Sequence, residues 1–145
     1  MTKMSIGIAA DHAGFEYKEK LIKDLEIEGY EIEDYGTYSA ESTDYPDYAH
    51  PLASNVESGK HRFGITLCGS GNGINMTANK YRGIRAALCW NKEISELARL
   101  HNDANICSLP SRFVAYDLAK EIVMVFLKTK FEGGRHSRRI EKIPV

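Results

Sequence analysis

The chain has 145 residues, 43% of them hydrophobic, and its 19 lysines and arginines nearly balance 20 aspartates and glutamates. This length and content fit a single domain over residues 1–145 that buries roughly 68–70% of the surface exposed in the unfolded chain. A formal net charge of -1 excludes a global basic field for nucleic acid or an anionic membrane, so any cationic site must be local.

Signals for membrane insertion or export are absent from the sequence pattern. No segment approaches the roughly 18 consecutive apolar residues of a membrane span, and no basic region followed by an apolar core opens the chain. The three cysteines, Cys68, Cys89 and Cys107, form no CxxC pair, which favours free thiols over a disulfide framework or a zinc site. We therefore expect a cytoplasmic protein with no bound metal.

Short apolar runs alternate with helical patterns along most of the chain. The predicted strands are Met4–Ala10, Tyr30–Tyr35, Phe63–Leu67, Ile84–Leu88 and Ala104–Leu109. The predicted helices are a segment from Phe15 that stops at Gly29, then Asp47–Ser58, Gly73–Asn79, Lys92–His101 and Phe113–Lys128. Five strand-helix units of this kind predict an α/β fold, a three-layer α/β/α sandwich with a five-stranded parallel Rossmann-like sheet.

Ligands of such sheets bind beyond the carboxyl ends of the strands. The loops to search are therefore the segments that directly follow the predicted strands. They are Asp11-His12, Cys68 to Gly73, Cys89 to Asn91 and Pro110 to Arg112.

The basic tail, residues 131–145, differs in character from the rest of the chain. It contains four cationic residues and a histidine between Glu132 and Ile143, and its isoleucines suggest that it docks on another surface, such as a second copy of the chain. If the tail is helical, Arg135 and Arg139 share a face and could clamp one phosphate. A solvated charged face is the commoner meaning of such a run.

The sequence "CGSGNG" at Cys68 to Gly73 joins a predicted strand to a predicted helix. It lacks the Gly-Lys-Ser/Thr of a Walker loop, and Ile74 stands where GxGxxG requires glycine. The backbone N–H groups of such a turn converge on one point, which predicts an anion site, although a tight turn without a ligand has the same pattern.

Cys68 is the thiol that this loop favours for chemistry. A thiol at the start of a helix is stabilised as the thiolate, the reactive form. Cys89 and Cys107 have no such loop, and we expect them to be small buried side chains.

Two histidines and an arginine are further candidates. His101 follows Ile94, Leu97 and Ala98 at helical spacing, so we expect it to face inward, either as a satisfied core histidine or beside a polar cleft. His12 and Arg112 directly follow predicted strands, where ligand contact is favoured over packing.

Six motifs in order resemble the ribose-5-phosphate isomerase B family, which also includes galactose-6-phosphate isomerase subunits and allose-6-phosphate isomerases. The motifs are "DHAG", "DYPDYA", "CGSGNG", "NKYRGIRAALC", "HNDAN" and "FEGGRHSRRIEKI", and they span nearly the whole chain. The resemblance implies a cofactor-free aldose-ketose isomerase of the pentose phosphate pathway that converts D-ribose 5-phosphate to D-ribulose 5-phosphate. It also implies a homodimer or homotetramer with active sites between subunits.

The same resemblance assigns roles to individual residues. Cys68 matches the general base, His101 the group that opens the sugar ring, and Ser70 with the loop backbone the cradle for the developing oxyanion. The implied substrate-binding residues are Asp11, His12, Gly69, Ser70, Gly71, Asn72, Gly73, Asn102, Arg112, Arg135 and Arg139.

Two positions depart from patterns found in relatives. Ser70 stands where many relatives have threonine; serine keeps the hydroxyl but lacks the methyl group that restricts its rotamer, so we expect looser oxyanion positioning. Ile74 stands where another branch has a glutamate base, which favours cysteine as the base here.

Three alternatives stay open at this point. The first is the same chemistry on a six-carbon sugar phosphate, allose 6-phosphate or galactose 6-phosphate. The second is a non-catalytic phosphate-binding α/β module, which gives no reason for Cys68 and His101. The third is a cysteine hydrolase, which is disfavoured because the spacing assigns no histidine and carboxylate to Cys68.

Overall fold

A computed structural model describes residues 3–145 and contains one parallel sheet with helices on both faces. The strands are β1 (Ser5–Ala10), β2 (Glu31–Asp34), β3 (Phe63–Cys68), β4 (Ala86–Leu88) and β5 (Ile106–Pro110). The helices are α1 (Phe15–Ile27), α2 (Tyr45–Glu57), α3 (Asn72–Ala78), α4 (Lys92–Asn102), α5 (Tyr116–Lys128) and α6 (Arg135–Glu141). The predicted three-layer α/β/α fold with a tail helix is confirmed.

The sheet has the strand order β2-β1-β3-β5-β4. The chain leaves β1 outward to β2 and then returns past β1 to form β3 on its other side. This reversal makes the ends of β1 and β3 a topological switch point, where open α/β sheets bind ligands. Asp11 and Cys68 therefore lie at the same edge of the sheet.

The two faces of the sheet have separate apolar cores. Residues of α1, α4 and α5, including Leu21, Ala98 and Ile122, pack on one face. Residues of α2 and α3, including Leu52 and Ala78, pack on the other. Within residues 3–145, none of the helices has the length and apolar content that crossing a membrane requires.

A pair of glycines lets α2 lie close to the sheet. Gly7 of β1 and Gly64 of β3 are neighbours in register. A methyl group on Gly7 would lie 2.3 Å from Leu52 Cδ1, and one on Gly64 would lie 3.1 Å from Val56 Cγ2. The missing side chains leave the space that α2 fills, and this position fixes the start of α2 beside the switch point.

The last long helix begins later than the sequence predicts, at Tyr116 rather than Phe113. The N–H groups of Ser111 and Arg112 donate to the carbonyls of Cys68 and Gly69, both at 3.0 Å. These bonds tie the segment after β5 to the end of β3, so it cannot adopt the first helical turn. Phe113 is left 76% exposed as a result.

Candidate active site

A cleft of about 900 Å³ opens at the carboxyl ends of the strands, at the switch point. It brings together seven of the predicted site residues, which come from three separate parts of the chain. They are Asp11, His12, Cys68, Gly69, Ser70, Gly73 and Arg112.

Cys68 is the last residue of β3 and is 5% exposed, with the glycine loop directly above it. The N–H of Gly71 donates to Cys68 Sγ at 3.1 Å. Gly71 has φ 77°, a left-handed conformation that turns this N–H back toward the strand. This hydrogen bond holds the sulfur of Cys68 beneath the glycine loop, at the edge of the cleft.

The loop also offers donors to a substrate oxygen. The N–H of Asn72 donates to Ser70 Oγ at 3.2 Å, so the hydroxyl hydrogen of Ser70 is free to point into the cleft. Among residues 3–145, the N–H groups of Ser70 and Gly73 have no acceptor. Two backbone donors and one hydroxyl beside Cys68 form an arrangement suited to a developing oxyanion.

Asp11 and His12 are held by hydrogen bonds from backbone N–H groups. Asp11 Oδ1 accepts hydrogen bonds from the N–H groups of Ala13, at 2.9 Å, and Gly14, at 3.3 Å. His12 Nδ1 accepts the N–H of Thr43 at 3.2 Å, which leaves the proton of the neutral ring on Nε2. His12 can therefore donate from Nε2 to a ligand oxygen.

Arg112 lies over the glycine loop. A methyl group built on Gly69 would lie 3.0 Å from Arg112 Nη1. In the part of the chain that the structure describes, Arg112 is the only lysine or arginine lining the cleft, which also contains Asp11, Asp44 and Asp47. One guanidinium beside three carboxyl groups is a weak site for a doubly charged phosphate.

Six predicted residues do not line this cleft. Gly71 and Asn72 belong to the same loop, where α3 begins, whereas His101, Asn102, Arg135 and Arg139 lie in α4 and α6. The helix α4 runs back along the parallel sheet, so its last residues lie near the edge where the strands begin. Arg85, just before β4, donates from Nε to the carbonyl oxygen of Asn102 at 3.1 Å. The cleft and the end of α4 therefore lie at opposite edges of the sheet within one chain.

The prediction that His101 faces inward is wrong. Its side chain is 39% exposed, and its ring stacks on that of His136 with centroids 4.3 Å apart and planes at 15°. The tail covers the last turn of α4, since the N–H of Glu132 donates to Leu100 O at 3.1 Å. The apolar stripe of α4 therefore ends against the tail instead of the core.

The tail forms the predicted helix, α6. Arg135 and Arg139 are exposed and lie one helical turn apart. Both cations are thus available to a ligand or to another chain.

Comparison with known proteins agrees with the motifs and the fold. A family model described as Ribose/Galactose Isomerase matches residues 6–143. The chain belongs to the ribose/galactose isomerase family.

Individual members of the ribose/galactose isomerase family match almost end to end. Ribose-5-phosphate isomerase B of Escherichia coli is 44% identical over 143 residues, which are 99% of this chain and 95% of that protein. The solved structure of ribose-5-phosphate isomerase B from Thermotoga maritima is 53% identical, covers 99% of both chains and has a TM-score of 0.96. A structure of the Mycoplasma genitalium enzyme with bound ribulose 5-phosphate is 41% identical, covers 99% of this chain and 95% of its own, and has a TM-score of 0.94. The expectation of an isomerase of this family is confirmed.

Sequence reasoning did not find a buried hydrogen-bond network beneath the site of this ribose/galactose isomerase. Ser108 Oγ donates to Asn75 Oδ1 at 2.8 Å and lies 2.7 Å from Thr66 Oγ1, which donates to it in turn. These hydrogen bonds fix α3, and with it the glycine loop, onto β3 and β5. Serine and threonine inside strands predicted as apolar were the available signal.

One wall of the cleft was also missed. Residues 42–47 form it, and the ring of Tyr45 lies over Gly73, where a methyl group would approach Cζ to 2.4 Å. The motif "DYPDYA" contributed to the resemblance, but its aromatic residue was not assigned to the site. The contact of Tyr45 with α3 depends on how α2 packs on the sheet.

Proposed function

We propose that this chain interconverts D-ribose 5-phosphate and D-ribulose 5-phosphate, the isomerisation step of the pentose phosphate pathway, with Cys68 as the general base. The observation that carries the proposal is the position of Cys68 Sγ, 3.1 Å from the Gly71 nitrogen and beside the free N–H groups of Ser70 and Gly73. Base and oxyanion donors on one loop are what proton transfer next to a carbonyl requires. The bound ribulose 5-phosphate of the M. genitalium relative supports the substrate class.

In the proposed reaction the Cys68 thiolate removes the proton from C2 of the open-chain aldose. The electrons form the C1–C2 double bond and place negative charge on O1, which the loop N–H groups and Ser70 stabilise. The thiol then returns the proton to C1, while the hydroxyl proton on O2 moves to O1 and C2 becomes the carbonyl. No atom is gained or lost, and no cofactor is needed.

Ring opening and phosphate binding are proposed to involve a second copy of the chain. The cleft of one chain holds a single arginine, whereas Arg135 and Arg139 are exposed at the opposite edge together with His101. A symmetric dimer, or a tetramer built from such dimers, can place the tail of one copy over the cleft of the next. His101 and Asn102 of that copy would then reach the sugar ring, and the two arginines its phosphate.

Replacing Cys68 with alanine tests the base. Turnover of D-ribose 5-phosphate should fall by at least about 10²-fold, because the positioned base is lost. Cys89→Ala, which removes a buried thiol outside the cleft, is the matched control and should keep its turnover. Near-normal turnover in Cys68→Ala would remove Cys68 from the mechanism.

The fate of the C2 proton is a second test of the enediolate route. Turnover in D₂O, followed by NMR, should place solvent deuterium on the carbon that receives the proton. Binding of the sugar phosphate without any isomerisation would instead favour a phosphate-binding module.

The six-carbon substrates are distinguished by kinetics. The values of kcat/KM for ribose 5-phosphate, allose 6-phosphate and galactose 6-phosphate should be highest for the pentose. A preference for either hexose phosphate would overturn the substrate assignment and leave the role of Cys68 intact.

The shared site is tested with the arginines of α6. Arg135→Gln and Arg139→Gln should raise KM by about 10- to 100-fold, since each loses a charged hydrogen bond to phosphate. Arg138→Gln, an exposed change in the same helix, is the control. Truncation after Lys130 should weaken both substrate binding and association. A truncated chain that keeps its association state and its KM would refute the shared site.

A further inference from the structure

Three side chains outside the cleft converge where α4 meets the tail. Nε2 of His101 and Nε2 of His136 each lie 3.9 Å from the same atom, Glu132 Oε2. One ligand atom from each residue lies within 4.8 Å of the other two. Such a set of two imidazoles and one carboxylate is a common ligand set for transition metals.

His136 has a ring nitrogen at this point that makes no hydrogen bond to the described residues. Its side chain is only 6% exposed, and its buried Nε2 has no hydrogen-bond partner among the described residues. The nearest carboxylate oxygen, at 3.9 Å, is beyond hydrogen-bonding distance. A buried polar atom of this kind calls for a partner that the chain itself does not supply.

We propose that His101, Glu132 and His136 bind one divalent transition-metal ion of the Zn²⁺ type. Bonds of about 2.0–2.1 Å in a tetrahedral site place ligand atoms about 3.3 Å apart, so the two 3.9 Å distances need to close by less than about 1 Å. Glu132 and His101 are 48% and 39% exposed in their side chains and can make this shift. The buried His136 is the fixed ligand, and a fourth position is left for water. An ion bound to His101 would occupy the nitrogen that the proposed ring opening uses, so the ion should inhibit isomerisation.

The local backbone favours this arrangement. Glu132 is anchored to the end of α4 by its N–H bond to Leu100 O. Gly133 and Gly134, with φ 74° and 63°, then turn the chain into α6. The stacked rings of His101 and His136 place both Nε2 atoms on the side of Glu132.

The charges around the cluster predict which ions bind. Burial and then the positive charge of Arg135 lower the pKa of His136, and Arg139 acts in the same direction. The same positive charges oppose any cation, and only Glu132 offsets them within the cluster. Ions held mainly by imidazole, such as Zn²⁺ and Co²⁺, should therefore bind, whereas Mg²⁺ and Ca²⁺, which need several oxygen ligands, should not.

Titration of the full chain without an affinity tag tests the site, using ZnCl₂ in calorimetry and CoCl₂ in visible absorption. One ion should bind per chain, and His136→Gln or Glu132→Gln should weaken binding by at least about tenfold. His50→Gln, which changes an exposed histidine bonded to Tyr81, is the control and should bind as the unchanged chain does. MgCl₂ should give no binding signal.

The thiol of Cys68 is the competing ligand, so the titrations are repeated with Cys68→Ser. Loss of the ion in that variant, or unchanged affinity in His101→Gln, Glu132→Gln and His136→Gln, would overturn the proposal. Urea unfolding without metal checks that each variant is folded. If the buried change His136→Gln does not fold, Glu132→Gln, at an exposed side chain, still tests the site. Failure of the proposed isomerase activity would leave the titrations unchanged.

Discussion

Replacing Gly71 with alanine should both destabilise the fold and slow isomerisation. Gly71 has φ 77°, where an L side chain costs about 1–2 kcal/mol. A methyl group there would also lie 2.5 Å from Leu88 Cδ1 and 3.1 Å from the carbonyl carbon of Leu109. Overpacking of this kind adds about 1–3 kcal/mol, so the free energy of unfolding should fall by about 2–5 kcal/mol in total.

The matched control is Gly59→Ala. Gly59 has a similar φ of 88°, but a methyl group on it would meet nothing within 4 Å. This variant should lose only the conformational cost of about 1–2 kcal/mol. The difference between the two variants therefore measures the contact of the glycine loop with β4 and β5.

Urea unfolding and steady-state kinetics are the two assays. Movement of the loop in Gly71→Ala displaces the N–H that reaches Cys68 Sγ and the neighbouring donors, and loss of one oxyanion donor costs about 10²- to 10³-fold in kcat. Gly59→Ala should keep the original kcat. Equal destabilisation of both variants, together with unchanged kcat in Gly71→Ala, would refute this account of the loop.

Three further perturbations test the supports of the site and the fold. Ser108→Ala leaves Asn75 Oδ1 and Thr66 Oγ1 without their partner, so the free energy of unfolding in urea should fall by about 1–3 kcal/mol. Because α3 is loosened, kcat should also fall. An unchanged unfolding midpoint would contradict this. Asn91→Ala removes the bond from Ile94 N–H to the Asn91 side chain at the start of α4 and should cost about 1 kcal/mol, measured in the same way. Burial lowers the pKa of His61 below its ordinary 6.5, so below about pH 6.5 the unfolded state binds more protons than the folded state. The contribution of neutral His61 to the free energy of unfolding is therefore complete above about pH 6.5 and is lost as the pH falls through the folded-state pKa. Urea midpoints between pH 8 and pH 5 should fall less in His61→Gln than in the unchanged chain, and parallel curves would refute the role of His61.

The sequence was sufficient to predict which loops meet at one edge of the sheet. Strand ends at Ala10, Leu67 and Leu109 follow from short apolar runs, and parallel strands place their following loops together. Asp11, Cys68 and Arg112 could thus be grouped without knowing the strand order. The glycine loop between a strand and a helix further singled out Cys68.

Contacts between elements distant in sequence could not be predicted. The helical spacing of His101 was correct, but its direction depended on the tail covering the last turn of α4, some 30 residues later in the chain. The late start of α5 depended on hydrogen bonds from Ser111 and Arg112 to the end of β3. Periodicity describes which residues share a helix face, and it says nothing of which neighbour covers that face.

Buried charges were missed for the same reason. Lys18 is fully buried and bonds Asp34 at 2.8 Å, and Arg99 bonds the carbonyl of Ala104 at 2.7 Å and lies over the Phe63 ring. Both side chains have long apolar stems that pack while their charged ends find partners. From sequence alone each would be assigned to a solvated helix face.

The placement of Cys68 and His101 at opposite edges of one chain has a consequence for mixtures of inactive variants. If two copies share each site, Cys68→Ala and His101→Ala are each inactive alone, but a mixed dimer has one site with both residues intact and one with neither. Unfolding and refolding an equal mixture should therefore restore about one quarter of the original activity, because half of the dimers are mixed and each has one working site. Genetic complementation between two defective copies of the same gene would follow from this geometry.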